Sequence, residues 1–308
     1  MVCLVRVIPF LSESSDLELI RTLKMSYMYL TIFFCVSLSF LQVSNQKTIP
    51  IHTYDSLLSH LTNGARVTYL FNTTTCQPVS SRGSNKNLPI FGGEIKFFLT
   101  SKSSESTAGQ LVFNQDNIGN DERGAISEDV LSIYIVNDTA MILYGNSGFF
   151  ANNTQNIQMV ICNWTSGDGK GFWVKEPLTP SKLNSYNELR TAMVSGETVR
   201  FVVTTKGCKC PPGENCGDVY VGGYVKDFKI TSNGAITFSR SMTLYFPIPT
   251  SPMYYRELLI GNVQPNNTST IQMSYLNATT WEQENGVNMA CPITSPKGHA
   301  DFFLDGSS

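Results

Sequence analysis

Hydrophobic and polar positions follow two periods along this chain, 3.6 residues in two short stretches and two residues almost everywhere else. Tyr54, Leu57, Leu58 and Leu61 fall at i, i+3, i+4 and i+7, which predicts a short amphipathic helix. Tyr186, Leu189 and Met193 keep most of the same stripe. Thr53 and Ser185 stand where an N-cap belongs, Glu188 completes a capping box with Ser185, and Gly64 and Gly196 stand where a helix stops. After each glycine the period changes to two, through Val67, Tyr69 and Phe71 and through Val199, Phe201 and Val203. Further β-type runs cover 94–99, 131–136, 140–144 and 158–162, then 224–230, 235–238, 241–246, 257–260, 270–275, 287–291 and 301–304. Ser232-Asn233-Gly234 and Glu284-Asn285-Gly286 carry hairpin-turn chemistry.

The two halves repeat one another. Tyr54-x-x-Leu57, Gly64-x-x-Val67 and Cys76 match Tyr186-x-x-Leu189, Gly196-x-x-Val199 and Cys208. The correspondence continues through Gly92-Gly93 with Gly222-Gly223, Phe98 with Phe228, Leu111-Val112-Phe113 with Ile236-Thr237-Phe238, and Cys162 with Cys291. A repeat of this length is a domain, since about 125 residues can bury a core of their own. The expected fold is mainly β, with tandem homologous domains over 50–176 and 182–308, each a short N-terminal helix plus an antiparallel β-barrel or barrel-like sheet. Residues 177–181, with Pro177 and Pro180, read as a stiff linker.

The succession Tyr-x-x-Leu, Gly-x-x-Val, Cys, Gly-Gly and then a short turn into Ile236-Thr237-Phe238-Ser239 resembles the VirK family of small secreted proteins, more closely in the second half than in the first. The resemblance implies secretion and transfers no catalytic motif. The neighbourhood Ser239-Arg240-Ser241-Met242 holds no histidine on which a site could be built.

Composition sharpens the compartment. Charged residues make up only 15% of the chain and the net charge is −2, which excludes a basic stripe for nucleic acid. The apolar run 27–43 follows Lys24 and precedes a polar exit, the order of a signal peptide starting at Met25 and cleaved near Ser44 or Asn45. Residues 1–24 then read as an untranslated upstream extension. If they are translated, the run reads as a type II membrane anchor, although it is shorter than the roughly 20 apolar residues that span a bilayer. The mature chain is expected to be extracellular, with no membrane attachment after cleavage.

Cleavage removes Cys3 and Cys35 and leaves an even set that reads as disulfides. Cys76–Cys162 and Cys208–Cys291 occupy matching positions in the two halves, and Cys210–Cys216 closes around Pro211-Pro212-Gly213. Three pairings of the four cysteines of the second half remain formally open. The alternative reading of the Cys208–Cys216 stretch as a metal or redox site lacks the C-x-x-C spacing and a nearby His. N-glycosylation sequons occur at Asn72, Asn137, Asn152, Asn163, Asn266, Asn267 and Asn277, most of them beside predicted turns or strand ends.

Candidate chemistry is sparse. His52, His60 and His299 lie in no triad motif, and Glu128–Asp129 and Glu282–Glu284 are the carboxylate pairs a hydrolase would need. Ser166-Gly167-Asp168-Gly169-Lys170-Gly171 fails the phosphate-loop spacing and reads as a hairpin turn. Tyr254 and Tyr255 are expected in a loop at a barrel mouth. Duplication without a catalytic set points to a secreted, N-glycosylated, non-enzymatic two-domain binding protein for a small apolar ligand or an extracellular partner, without metal or cofactor. The competing readings are an extracellular hydrolase using carboxylates and a membrane-anchored interaction module.

Overall fold

The computed structural model of the chain describes residues 48–79, 90–102, 109–120, 126–146, 158–166, 170–175, 180–214, 216–246, 253–277, 280–293 and 299–305. The first half runs β1 (Thr48–Ile51), α1 (Tyr54–Thr62), β2 (Val67–Asn72), the short β3 (Gln77–Pro78), β4 (Ile90–Glu94), β5 (Phe97–Lys102), β6 (Gly109–Asn120), β7 (Ile126–Val136), β8 (Thr139–Asn146), β9 (Gln158–Asn163) and β10 (Gly171–Lys175). The second runs β11 (Ser181–Leu183), α2 (Tyr186–Val194), β12 (Val199–Thr204), β13 (Tyr220–Val225), β14 (Phe228–Ile230), β15 (Ile236–Phe246), β16 (Met253–Val263), β17 (Thr268–Asn277), β18 (Gln283–Pro292) and β19 (Ala300–Leu304). The described residues belong to one compact unit.

Both helices form where the apolar stripes predict them. Thr53 Oγ1 accepts the Ser56 N–H and Ser185 Oγ accepts the Glu188 N–H, each at 3.2 Å. The capping box is displaced by one residue, because Glu188 Oε2 takes the Asn184 N–H at 2.7 Å. Gly64 and Gly196 end the helices at φ of 75° and 81°, a left-handed region that glycine enters without steric cost. Leu57, Leu61 and Leu189 face inward and are fully buried.

Of the expected β-barrel or barrel-like sheet, the antiparallel sheet is present among the described residues and a closed barrel is not. The described strands form three open antiparallel sheets, ordered β1-β10-β2-β4, then β11-β19-β12-β13-β5-β6-β7-β8-β9-β3, then β14-β15-β16-β17-β18. Two runs expected as single strands, 94–99 and 224–230, are each broken in the middle, and the chain changes sheets there. At the first corner Ile95 is buried and donates its N–H to the Val67 carbonyl at 2.9 Å, which ends β4 against β2 before β5 begins. A strand that leaves one sheet at such a corner feeds a second layer and does not close the first.

Two turn readings change as well. Glu284-Asn285-Gly286 lies inside β18, opposite Tyr275 and Ser274 and next to a register shift, whereas Ser232-Asn233-Gly234 does join β14 to β15. The Ser166–Gly171 segment joins β9 to β10, which belong to different sheets, so it is a crossover and not a hairpin. Of its residues, 167–169 lie outside the described residues. Tyr254 and Tyr255 belong to β16 and not to a loop.

Two apolar cores result, and each draws on both halves. One joins α1 and β2 to Leu111, Phe113, Ile133, Ile135, Trp164 and Phe172, and takes Val202 and Phe303 from the second half. The other joins α2, β12 and the β15–β18 face to Phe97, Leu99, Val112, Tyr134 and Leu143 from the first. Consecutive Leu111, Val112 and Phe113 are all buried because β6 lies in a sheet covered on both faces. Three cysteine pairs stand at disulfide distance: Cys76 and Cys162 at 2.02 Å, Cys208 and Cys291 at 2.12 Å, and Cys210 and Cys216 at 1.98 Å. By chain entropy each long closure, 86 and 83 residues, contributes about 4 to 5 kcal/mol.

Candidate functional site

Among the described residues one strand ladder joins the two halves. β13 lies antiparallel to β5 with Val221 opposite Leu99, Gly222 opposite Phe98 and Gly223 opposite Phe97, and the Tyr224 N–H donates to the Lys96 carbonyl at 3.1 Å. The approach is close. A Cβ on Gly222 would stand 2.7 Å from the Phe98 ring, and one on Gly223 would stand 2.6 Å from the Lys96 carbonyl oxygen. Only glycine lets β5 cross here.

Beside this pair a charged cluster pins the junction. Arg200 is 2% exposed and sends one Nη to Glu94 Oε1 at 3.4 Å and to Tyr224 Oη at 3.1 Å, and the other to the Ile95 carbonyl at 3.3 Å. Its guanidinium carbon also lies 4.3 Å from the centre of the Tyr224 ring, which the ring quadrupole favours. Arg66 reaches Glu94 Oε2 at 3.2 Å and Asp305 at 3.7 Å, and the Tyr224 hydroxyl donates to Glu94 Oε1. Burial pulls the Glu94 carboxyl upward. The Tyr224 and Arg66 hydrogen bonds and the charges of Arg66 and Arg200 outweigh that pull and hold it below the usual carboxylate range. Burial, opposed by Arg200 and reinforced by Glu94, holds the Tyr224 phenol well above its ordinary value.

Glu94 and Tyr224 of this cluster line a cleft of about 790 Å³ at the junction. Gly92, Gly93 and Glu94 line it from β4, Val225, Lys226 and Phe228 from the second corner, and Gly196 and Glu197 from the end of α2. Lys96, Lys226 and Arg240 also line it, and none of these cations makes an ion pair among the described residues. Arg240 is held by its Nε–H bond to the Tyr224 carbonyl at 2.6 Å. Burial lowers its pKa, and the charge of Asp227 offsets part of that effect. The arrangement can accept polar or anionic groups along a wall that also presents the Phe228 ring.

None of the histidines or carboxylate pairs singled out from the sequence lines this cleft. His52 is exposed and His60 half-buried, and burial lowers the His60 pKa. His299 Nε2 lies 2.6 Å from Asp301, which also pairs with Lys182 at 2.6 Å. Glu284 accepts from the Asn277 amide at 3.1 Å and Glu282 from the Thr280 hydroxyl at 3.3 Å. The side chains of Glu128, Asp129 and Tyr254 lie outside the described residues, as does Asn152.

Among the sequons, Asn137, Asn163, Asn266 and Asn267 are exposed, while Asn72 and Asn277 are half-buried. Asn72, Asn163 and Asn266 each accept the N–H of the threonine two residues on. Asn267 accepts the Tyr186 N–H at 2.7 Å. The cleft residues were missed because Glu94-Ile95-Lys96 and Tyr224-Val225-Lys226 contain no Gly or Pro to mark a corner. The glycine pairs that repeat just before them were the available signal.

No helix among the described residues is long and apolar enough to cross a membrane. No curated protein matches the chain. A crystal structure of a VirK family protein from Legionella pneumophila is similar over 40% of this chain and 98% of that one, at 19% identity and a TM-score of 0.33. The VirK protein family model matches residues 182–281, from β11 through β17 to the start of the turn before β18. Residues 182–281 are therefore a VirK family domain.

Proposed function

We propose that this is a secreted, N-glycosylated, non-enzymatic binding protein of two tandem VirK-like domains, 50–176 and 182–308, that takes an extracellular partner in the junction cleft. Strand order supports the duplication. The order β1-β10-β2-β4 recurs as β11-β19-β12-β13, and the meander β5 to β9 recurs as β14 to β18. Cysteine pairs at disulfide distance fit an oxidising compartment.

The observation that carries the binding reading is a cleft of about 790 Å³ whose three lining cations, Lys96, Lys226 and Arg240, have no ion-pair partner among the described residues. The mixed lining favours a polar partner over a small apolar ligand. Glu94 is disfavoured as the general acid of a hydrolase, because that role needs a raised pKa and Glu94 is held low by its three partners.

Native mass spectrometry of the chain purified from a secreting host tests the reading. The expected result is an N-terminus near Ser44 or Asn45 and a retained molecule that is lost from a Lys226→Ala/Arg240→Ala variant. Retention unchanged by that double substitution would remove the cleft as the site.

A further inference from the structure

β4 is the first-half counterpart of β13, and its fate differs. β13 is paired on both sides, with β12 and with β5, whereas β4 pairs with β2 alone among the described residues. The strand that the repeat would place beside β4 is β14, the counterpart of β5. Both β4 and the first residue of β14 line the cleft, yet no ladder joins them.

The sequence explains why β14 leaves the position open. β5 enters its place with Phe97, Phe98 and Leu99, which are 5%, 1% and 6% exposed. The matching residues of the second half are Asp227, Phe228 and Lys229. Seating them as β5 is seated would bury two charges without partners, and the ring that should lie over Gly92 stays 41% exposed as Phe228. Lys96 and Lys226 both line the gap, so like charges also oppose closure.

We infer that the unpaired edge of β4 accepts an extended peptide segment of an extracellular partner as an added strand, with an aromatic or aliphatic side chain over Gly92 as Phe98 lies over Gly222. This rests on the binding reading of the same cleft. Main-chain hydrogen bonds to β4 hold the segment and the glycine ledge selects its side chain, as in β-strand addition generally. The chain supplies its own template for the occupant in β5.

The probe is a dye-labelled synthetic peptide of residues 95–101, Ile-Lys-Phe-Phe-Leu-Thr-Ser, titrated into the intact secreted chain and read by fluorescence anisotropy. Saturable binding is expected, weakened about tenfold or more by N-methylation of its two phenylalanine amides, which removes strand hydrogen bonds. Gly93→Ala should weaken it equally. A Cβ there meets nothing closer than the Tyr69 hydroxyl at 3.4 Å in the open cleft, but in β13 the matching Cβ would strike the incoming carbonyl at 2.6 Å. An unchanged circular dichroism spectrum and urea midpoint would show that the variant still folds.

Equal binding by wild type and Gly93→Ala would overturn the inference. So would slow hydrogen exchange in the free chain of the β4 amides not bonded to β2, because that edge would already be taken by β14 or by a second copy. Absence of peptide binding alongside a molecule retained in the cleft overturns the peptide occupant alone. Absence of both overturns the binding reading too.

Discussion

Glu257 offers the most exacting test of how this fold is held. It lies in β16 opposite Met242 and Tyr275, is 0% exposed, and neither of its carboxyl oxygens has a hydrogen-bond partner among the described residues. Burial alone pushes its pKa from 4.5 up to about 8. An unfolded chain sheds this proton above about pH 4.5, whereas the folded chain keeps it until about pH 8. Folding therefore takes up a proton between those values, and stability falls as pH rises by about 1.4 kcal/mol per unit. From pH 5 to pH 8, allowing for partial ionisation at each end, the loss from this one group is about 3 to 4 kcal/mol. With a urea dependence of about 3 kcal/mol per molar, the unfolding midpoint drops by about 1 M. Glu257→Gln keeps the shape and removes the titration. Urea unfolding of both proteins at pH 5 and pH 8 isolates the effect, because Tyr275, whose phenol the Glu257 charge also pushes up, titrates well above this interval. The variant should lose about 1 M less than the wild type over that interval. The same midpoint drop in both would refute the assignment of a buried, neutral carboxyl.

Further outcomes follow from the junction and the cysteines. Arg200→Met should cost about 3 to 5 kcal/mol in urea unfolding, since it strips a buried cation from Glu94, Tyr224 and the Ile95 carbonyl together; a cost under about 1 kcal/mol would show that Arg66 alone suffices for Glu94. Non-reducing peptide mapping should recover Cys76 with Cys162 and Cys208 with Cys291, and replacing the first pair by alanine should lower stability by about 2 to 5 kcal/mol; a free Cys76 would refute that closure.

Much of the architecture was legible locally. Stripes of Leu and Tyr, a capping Thr or Ser and a stopping Gly fix both helices, because each signal acts within one or two turns. Alternating Val67, Tyr69 and Phe71 fixes a strand with one face on a core. Near-continuous apolar runs such as Leu131 to Ile135 announce burial on both faces, although they do not say what covers each face. The candidate site was not legible. It depends on breaks inside two apolar runs that carry no turn residue, and on the side chains of Glu94, Arg200 and Tyr224, which lie far apart in sequence.

By itself, then, the sequence determined the periods, the helix ends and the candidate cysteine partners, all of which rest on local geometry or on matching motifs along the chain. Tertiary structure alone decided that β13 takes β5 while β4 keeps an open edge. A strand's period reports which face is buried, but its neighbour is chosen by whatever side chains can follow it into the sheet. Phe97-Phe98-Leu99 can be buried beside a glycine pair, and Asp227-Phe228-Lys229 cannot be without leaving charges unpaired.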